Sequence, residues 1–478
     1  MALDLSELAT MDATGQAELV RRRELTPLEL VDAAITRIES VNPAINAVIT
    51  PLFDEARAAA ISRELPAGPF RGVPFLLKDI GAMQKEQPYY MGNRALRDAG
   101  YRSPSDTVLG ARFRSAGFIT LGKTNTPEFG AQCTTQPLAF GPTRNPWDLE
   151  RSTSGSSGGS CAAVAAGIVP VAHANDQGGS IRLPAGWCGL VGLKPSRGRV
   201  SWHSTSRSIV EFVVSRTVRD VAAVLDAVQG SEPGDLYLIP APARRYSEEL
   251  GTDPGKLRIG MLSSNPFWKV HPQCVSAVAA TARLLESLGH RVEESFPQAL
   301  FDAEQGPRLQ PLGLPGWRAF IQMLGYLLNR PVTQEDVEPY LWSLSRPDQP
   351  AVPAEDYIRA IEWQNFWAIR VAQWWTTGFD LLLTPTDSEP PAILADLTPP
   401  QDKPWKLLPK IGQHLFFTSP FNVTGQPAIS LPLHWTPEGL PVGVQLVGAI
   451  GREDQLIRVA RQLEQAQPWI ERRPRVHA

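Results

Sequence analysis

Residues 155–186 read GSSGGSCAAVAAGIVPVAHANDQGGSIRLPAG, two serine-glycine clusters on either side of an alanine-rich run. Glycine lets one backbone approach another closely, and GSSGG opens directly into the helix SCAAVAAGIV, whose alanines and glycine suit tight packing on a sheet. GGS at 178–180 leaves unhindered backbone N–H groups just before a serine, which is the arrangement an oxyanion hole needs. A small-residue helix laid on a sheet between two such turns is an α/β pattern, and the neighbouring sequence extends it.

GVPFLLKDI (72–80) and GFITLGK (117–123) read as short buried strands, with ARFRSAG between them as a helix end closed by Gly117. A Thr-Pro start opens an amphipathic helix over 26–48, with apolar positions at Leu30, Ala33, Ile35 and Ile38, and Asn42-Pro43 ends its pattern. LRIGML (257–262), a helix from Cys274 to Leu288 closed by Gly289, and a strand at His290–Glu293 restart the alternation; DLLLTP (380–385) and AISLPL (428–433) add strands. The fold class expected is α/β, a large mixed sheet covered by helices on both faces. One domain over 1–478 is expected: an N-terminal helical region (1–62), a core carrying both clusters (63–230), a variable substrate-side region (231–400) and a closing segment (401–478). Trp363, Trp367, Val371 and Trp374 recur at helical spacing, and we read them as core packing rather than a substrate wall. The proline-rich 384–410 segment reads as a long surface loop that could rim the site.

Of 478 residues, 43% are hydrophobic and 20% charged, a globular balance that argues against disorder. A net charge of −3 offers no basic face for a phosphate backbone, so nucleic acid is not an expected partner. Cys133, Cys161, Cys188 and Cys274 show no metal spacing, and a reduced setting is the simpler reading. The start is polar and charged, and no apolar run reaches the ~18 residues of a membrane span. A soluble cytoplasmic protein with no membrane partner is expected.

Two short motifs match by letter and fail by context. GFITLGKT (117–124) fits the phosphate-loop pattern, yet its middle residues are strand-like and NTPEFG follows where a helix should. GSSGG fits the nucleophile elbow with Ser157 as nucleophile, yet turn chemistry, PTRNPWDLERSTS, precedes it where a strand should, and none of the seven histidines has a distinctive local setting.

Lys78 carries more. On a buried strand, with Leu76 and Ile80 on its face, its ammonium would be desolvated, and desolvation turns a lysine into a base near neutrality. The alternative is a structural lysine paired with Asp79, but adjacent strand residues point to opposite faces. A serine beside its own oxyanion donors, a second serine at a helix start and a buried lysine together suggest a proton relay for acyl transfer. Asp176 and Arg182 would pair to fix the GGS turn, a structural role.

The run from GSSGG to GGSIRLPA resembles the amidase signature family, as do GVPFLLKD, GKTNTPEFG, TRNPWD, CGLVGLKPSRGRVS and PFNVTGQPAISLP, and the likeness is weakest over 300–375. The resemblance implies Ser180 as nucleophile, Ser156 as a bridging serine on a cis peptide, Lys78 as base, and the N–H groups of Gln177, Gly178, Gly179 and Ser180 as oxyanion hole. It implies Phe129, Gly130 and Ala131 as acyl-pocket walls, a small-molecule amide as substrate, and no metal or organic cofactor; monomer and homodimer stay open. ANDQGGS and PAINAVITPLFDEA are most similar to the 6-aminohexanoate-cyclic-dimer hydrolases of that family. The alternatives are a glutaminase subunit of a glutamyl-tRNA amidotransferase and a non-catalytic interaction protein on the same scaffold. The chain departs from the family pattern at Ser154 and Asn175, neither of them a catalytic position, and in SWHSTSRSIVEFVVSRTVRD (201–220), where many members carry an S-L-D stretch and a Gly-Pro.

Overall fold

The computed structural model describes residues 5–202, 206–345, 348, 350–400 and 402–478, so the chain start and His203–Thr205 within the departing segment lie outside the described residues. Thirteen strands form among them: β1 (Val48–Pro51), β2 (Pro74–Lys78), β3 (Ile119–Thr124), β4 (Arg144–Asn145), β5 (Asp148–Ser152), β6 (Val171–Asp176), β7 (Val191–Lys194), β8 (Val210–Ser215), β9 (Arg258–Met261), β10 (Arg291–Glu294), β11 (Leu381–Pro385), β12 (Ala428–Trp435) and β13 (Pro441–Gly448). Eleven make one sheet in the order β1-β3-β2-β6-β8-β7-β12-β13-β11-β9-β10, and β4 with β5 make a separate hairpin. β3, β2 and β6 run parallel, β6, β8, β7, β12 and β13 alternate, and β11, β9 and β10 are parallel again.

Every residue of β2, β7, β8, β11 and β13 is buried. Side chains alternate between faces along a strand, so burial at every position means both faces of the sheet are covered. The helix Gly158–Ala165 lies against β6, β2, β3 and β8, and its alanines bring its backbone close to the sheet. The expected mixed α/β sheet is therefore what forms.

Several local expectations need correction. The first amphipathic helix does not end at Asn42-Pro43; it runs Pro27–Ile45 with Pro43 inside and closes on Asn46 in the left-handed region. A proline this near the end removes only one helical hydrogen bond, and Asn42 Oδ1 caps the exit by accepting from the N–H groups of Ala47 and Val48. The 384–410 segment is not simply a surface loop. Its residues 384–388 are buried, and it is pinned to β5 where Ser152 N–H donates to the Ala392 carbonyl at 2.9 Å. The tryptophan stripe is core: Trp367 and Val371 are fully buried, and Trp374 stacks on Phe379 at 4.3 Å. The phosphate-loop match lies in β3, with Lys123 buried beside Asp79 rather than open to a ligand.

Candidate active site

β2 and β6 are parallel neighbours, with Leu76 opposite Ala172, so their C-terminal ends deliver Lys78 and Asn175-Asp176 to one edge of the sheet. Ile80 lies past the end of β2, and the surroundings of the Lys78 amine are polar rather than apolar. Its Nζ is 2.7 Å from Ser156 Oγ, 2.9 Å from Ser157 Oγ and 2.6 Å from Asn175 Oδ1. Burial nonetheless dominates its titration, pulling Lys78 down to about 7 against the opposing fields of Glu211 and Asp176. Asp79, one residue past the end of β2, is engaged elsewhere: its carboxylate accepts from the N–H groups of Tyr90 and Gly92 at 3.0 and 3.1 Å.

Ser156 is buried, and the Gly155–Ser156 peptide is cis. Thr126 Oγ1 donates to the Ser156 carbonyl at 2.9 Å, and Ser157 Oγ to the Asn175 carbonyl at 3.2 Å, which ties the cluster to the segment just after β3 and to β6. A strand, β5, does precede GSSGG, contrary to expectation, but it belongs to the separate hairpin and ends three residues short of Gly155. Gly130 lies against the serine, for a side-chain carbon there would be 3.2 Å from Ser156 Oγ. Phe129 packs 5.5 Å from the Phe320 ring in an apolar cluster with Leu324 and Leu341. Ala131 joins that cluster to a second one made by Cys133, Tyr340, Leu407 and Ile411 with Leu415 at its edge.

The turn Gln177–Ser180 leads from β6 into the helix Arg182–Cys188. Gly179 has φ +149, and a β-carbon there would come within 2.5 Å of Thr418 Oγ1, so glycine is required on both counts. The same Thr418 hydroxyl donates to the Gly178 carbonyl at 2.6 Å. Arg182 and Asp176 do pair, fully buried: Nη2 to Oδ1 is 2.9 Å and Nε to Oδ2 3.0 Å. Asp176 Oδ2 also accepts from Ile181 N–H, and Arg182 Nη1 donates to Gln445 Oε1 and the Thr418 carbonyl. Burial would raise the Asp176 carboxyl, but Arg182 outweighs it and holds the group at about 2. Arg182→Met would leave this carboxylate buried without its partner, at an expected cost of about 3–5 kcal/mol. Urea unfolding of the purified variant measures it, and a midpoint within error of the parent would refute the assignment.

Sequence reasoning considered Ser157 only as an elbow nucleophile, not as a partner of Lys78, and missed Thr418, Gln445 and the function of Asn175. The last is a correction, since Asn175 bonds the Lys78 amine directly. The local signal was slight, a polar residue two positions from His173 in a stretch that the sequence does not mark as a strand.

Comparison with known proteins gives a consistent set. The Amidase family matches residues 29–457. A 6-aminohexanoate-cyclic-dimer hydrolase of Paenarthrobacter ureafaciens is 44% identical over 97% of this chain and 96% of that one. An acylamidase of Rhodococcus erythropolis is 31% identical over 97% of each. The solved structure of 6-aminohexanoate cyclic dimer hydrolase complexed with substrate superposes with a TM-score of 0.93 at 42% identity, covering 100% of both chains.

Proposed function

This chain belongs to the amidase family and is an amide-hydrolysing enzyme, and from that premise we propose that it works through an acyl-enzyme on small amides of the 6-aminohexanoate type. The observation that carries the mechanism is a fully buried Lys78, drawn down to about 7, in contact with Ser156 Oγ at 2.7 Å. A neutral amine has two N–H donors and one lone pair. Ser157 and Asn175 Oδ1 take the donors, and the lone pair accepts the Ser156 proton.

In the cycle, Ser180 Oγ attacks the amide carbon while its proton passes to Ser156 and the Ser156 proton to Lys78. The oxyanion accepts hydrogen bonds from the N–H groups of the Gln177–Ser180 turn. On collapse the C–N bond breaks, Ser156 protonates the leaving nitrogen and Lys78 restores the proton to Ser156. Water, deprotonated by the same relay, then releases the acid from Ser180.

The substrate class rests on the likeness to the cyclic-dimer hydrolase and on the apolar surround. Ala131, Cys133, Tyr340, Ile411 and Leu415 run from beside the Ser156 cluster to Gly178, whose added carbon would lie 3.6 Å from Leu415. A polymethylene chain gains about 0.8 kcal/mol per CH2 buried on such a surface. The test incubates the purified chain alone with 6-aminohexanoate cyclic dimer, a simple anilide, a fatty amide and glutamine, following amine or ammonia release. Turnover of the cyclic dimer or another aliphatic amide without companion proteins is expected. Silence on all four, or glutamine hydrolysis that needs a companion subunit, would overturn the reading.

A further inference from the structure

Two of the three places where this sequence leaves the family pattern, Asn175 and the segment 201–220, meet in the fold. β6 and β8 pair antiparallel with Asn175 directly opposite Glu211 and His173 opposite Val213, so the half-buried Asn175 and the buried Glu211 and His173 share one patch behind Lys78. Asn175 Nδ2 donates to Glu211 Oε1 at 3.1 Å and to the Ile80 carbonyl at 3.1 Å. Both acceptors are acceptor-only, which fixes the amide orientation and leaves Oδ1 facing Lys78 Nζ at 2.6 Å. The other carboxylate oxygen of Glu211 meets His173 Nε2 at 2.6 Å. Gly81, φ +105, roofs the carboxylate, and a β-carbon on it would stand 2.4 Å from Oε1.

The charges around this patch have separate partners. Asp176, the other anion near Lys78, is taken up by Arg182, and Lys123 faces Asp79. Cys161 and Tyr89 are both pushed upward by burial, so they stay neutral at Lys78 and Glu211. His173 is lowered by burial against the pull of Glu211, so a neutral ring donates Nε2–H to the carboxylate. Glu211 and Asp176 are the carboxylates whose fields reach Lys78, Glu211 the more strongly, and only Asp176 has an arginine partner.

We propose that Asn175 and Glu211 are positioning residues for the amidase reaction: Asn175 aims the Lys78 lone pair at Ser156, and the Glu211 charge sets the lower pH limit of activity. The inference rests on Lys78 as the base. A negative charge favours protonated lysine, and only neutral lysine accepts a proton. Removing the charge therefore extends activity to lower pH.

The experiment records kcat/KM against pH for the parent, Glu211→Gln, Glu211→Asp and Lys78→Ala. Glutamine keeps an oxygen for Asn175 while losing the charge. Its acid limb is expected to move down by about one pH unit or more, with Glu211→Asp remaining near the parent. A merely structural role for Glu211 would lower the plateau and leave the limb in place. An inactive Lys78→Ala beside an unmoved Glu211→Gln limb overturns this inference and leaves the base intact, whereas an active Lys78→Ala removes both. Where Glu211→Gln does not fold, Asn175→Ala decides: kcat lower by about tenfold or more at a KM within about twofold supports the assignment, and unchanged kcat overturns it.

Discussion

Ser180→Ala is expected to lower kcat on the order of 100,000-fold, with KM for the cyclic dimer nearly unchanged. Under the proposed cycle Ser180 Oγ forms the covalent bond to the acyl carbon, and no other group duplicates it. Ser157 is a near neighbour in sequence to Ser156, but its hydroxyl is committed, accepting from Lys78 and donating to the Asn175 carbonyl. The turn itself should survive the change. It is held by the Asp176–Arg182 pair and by the Thr418 hydroxyl on the Gly178 carbonyl, and none of these contacts involves the Ser180 side chain. The N–H groups of the turn stay in place, so a residual rate about 1,000-fold or more above water is expected from oxyanion binding alone. Steady-state turnover together with labelling by a fluorophosphonate probe reads both parts. Loss of labelling with retained thermal stability agrees with the cycle. Labelling that persists in the variant would move the nucleophile elsewhere.

The fold was legible where burial is continuous and local. β2, β3, β9, β11 and β12 stand within two residues of their sequence readings because each is an apolar run bounded by turn residues. β6 and β8 were not read as strands. Each carries polar residues, buried His173 and Asp176 with half-buried Asn175 in one and buried Glu211 in the other, which break the apolar run that marks a strand in sequence. Those same residues hold Lys78 and the Ser180 turn, so the function of the site concealed its architecture. Lys78, Ser156 and the Asp176–Arg182 pair were accessible from motif and alternation. Thr418, Asn422 and Gln445 were not, because they reach Asp176 and Arg182 from more than 200 residues away and no local pattern marks them.

Lys78→Ala is expected to cost about 10,000-fold or more in kcat/KM and, more tellingly, to remove its acid limb. In the parent, burial places Lys78 at about 7. Below that pH the amine is protonated and its lone pair is lost, so kcat/KM falls about tenfold per pH unit; above it the rate levels off. Without the amine no group in the relay titrates near neutrality, and the residual rate should follow hydroxide. Lys78→Met fills most of the lost volume and separates this from a packing defect, since Ser157 and Asn175 lose a donor in either variant but only alanine leaves a cavity. Lys78→Arg adds the decisive contrast. A guanidinium donates as many hydrogen bonds but stays protonated throughout the range, so it should be as inactive as alanine at every pH. An arginine variant with substantial activity would mean that the lysine acts through its charge, and the proton relay from Ser180 through Ser156 would have to be abandoned.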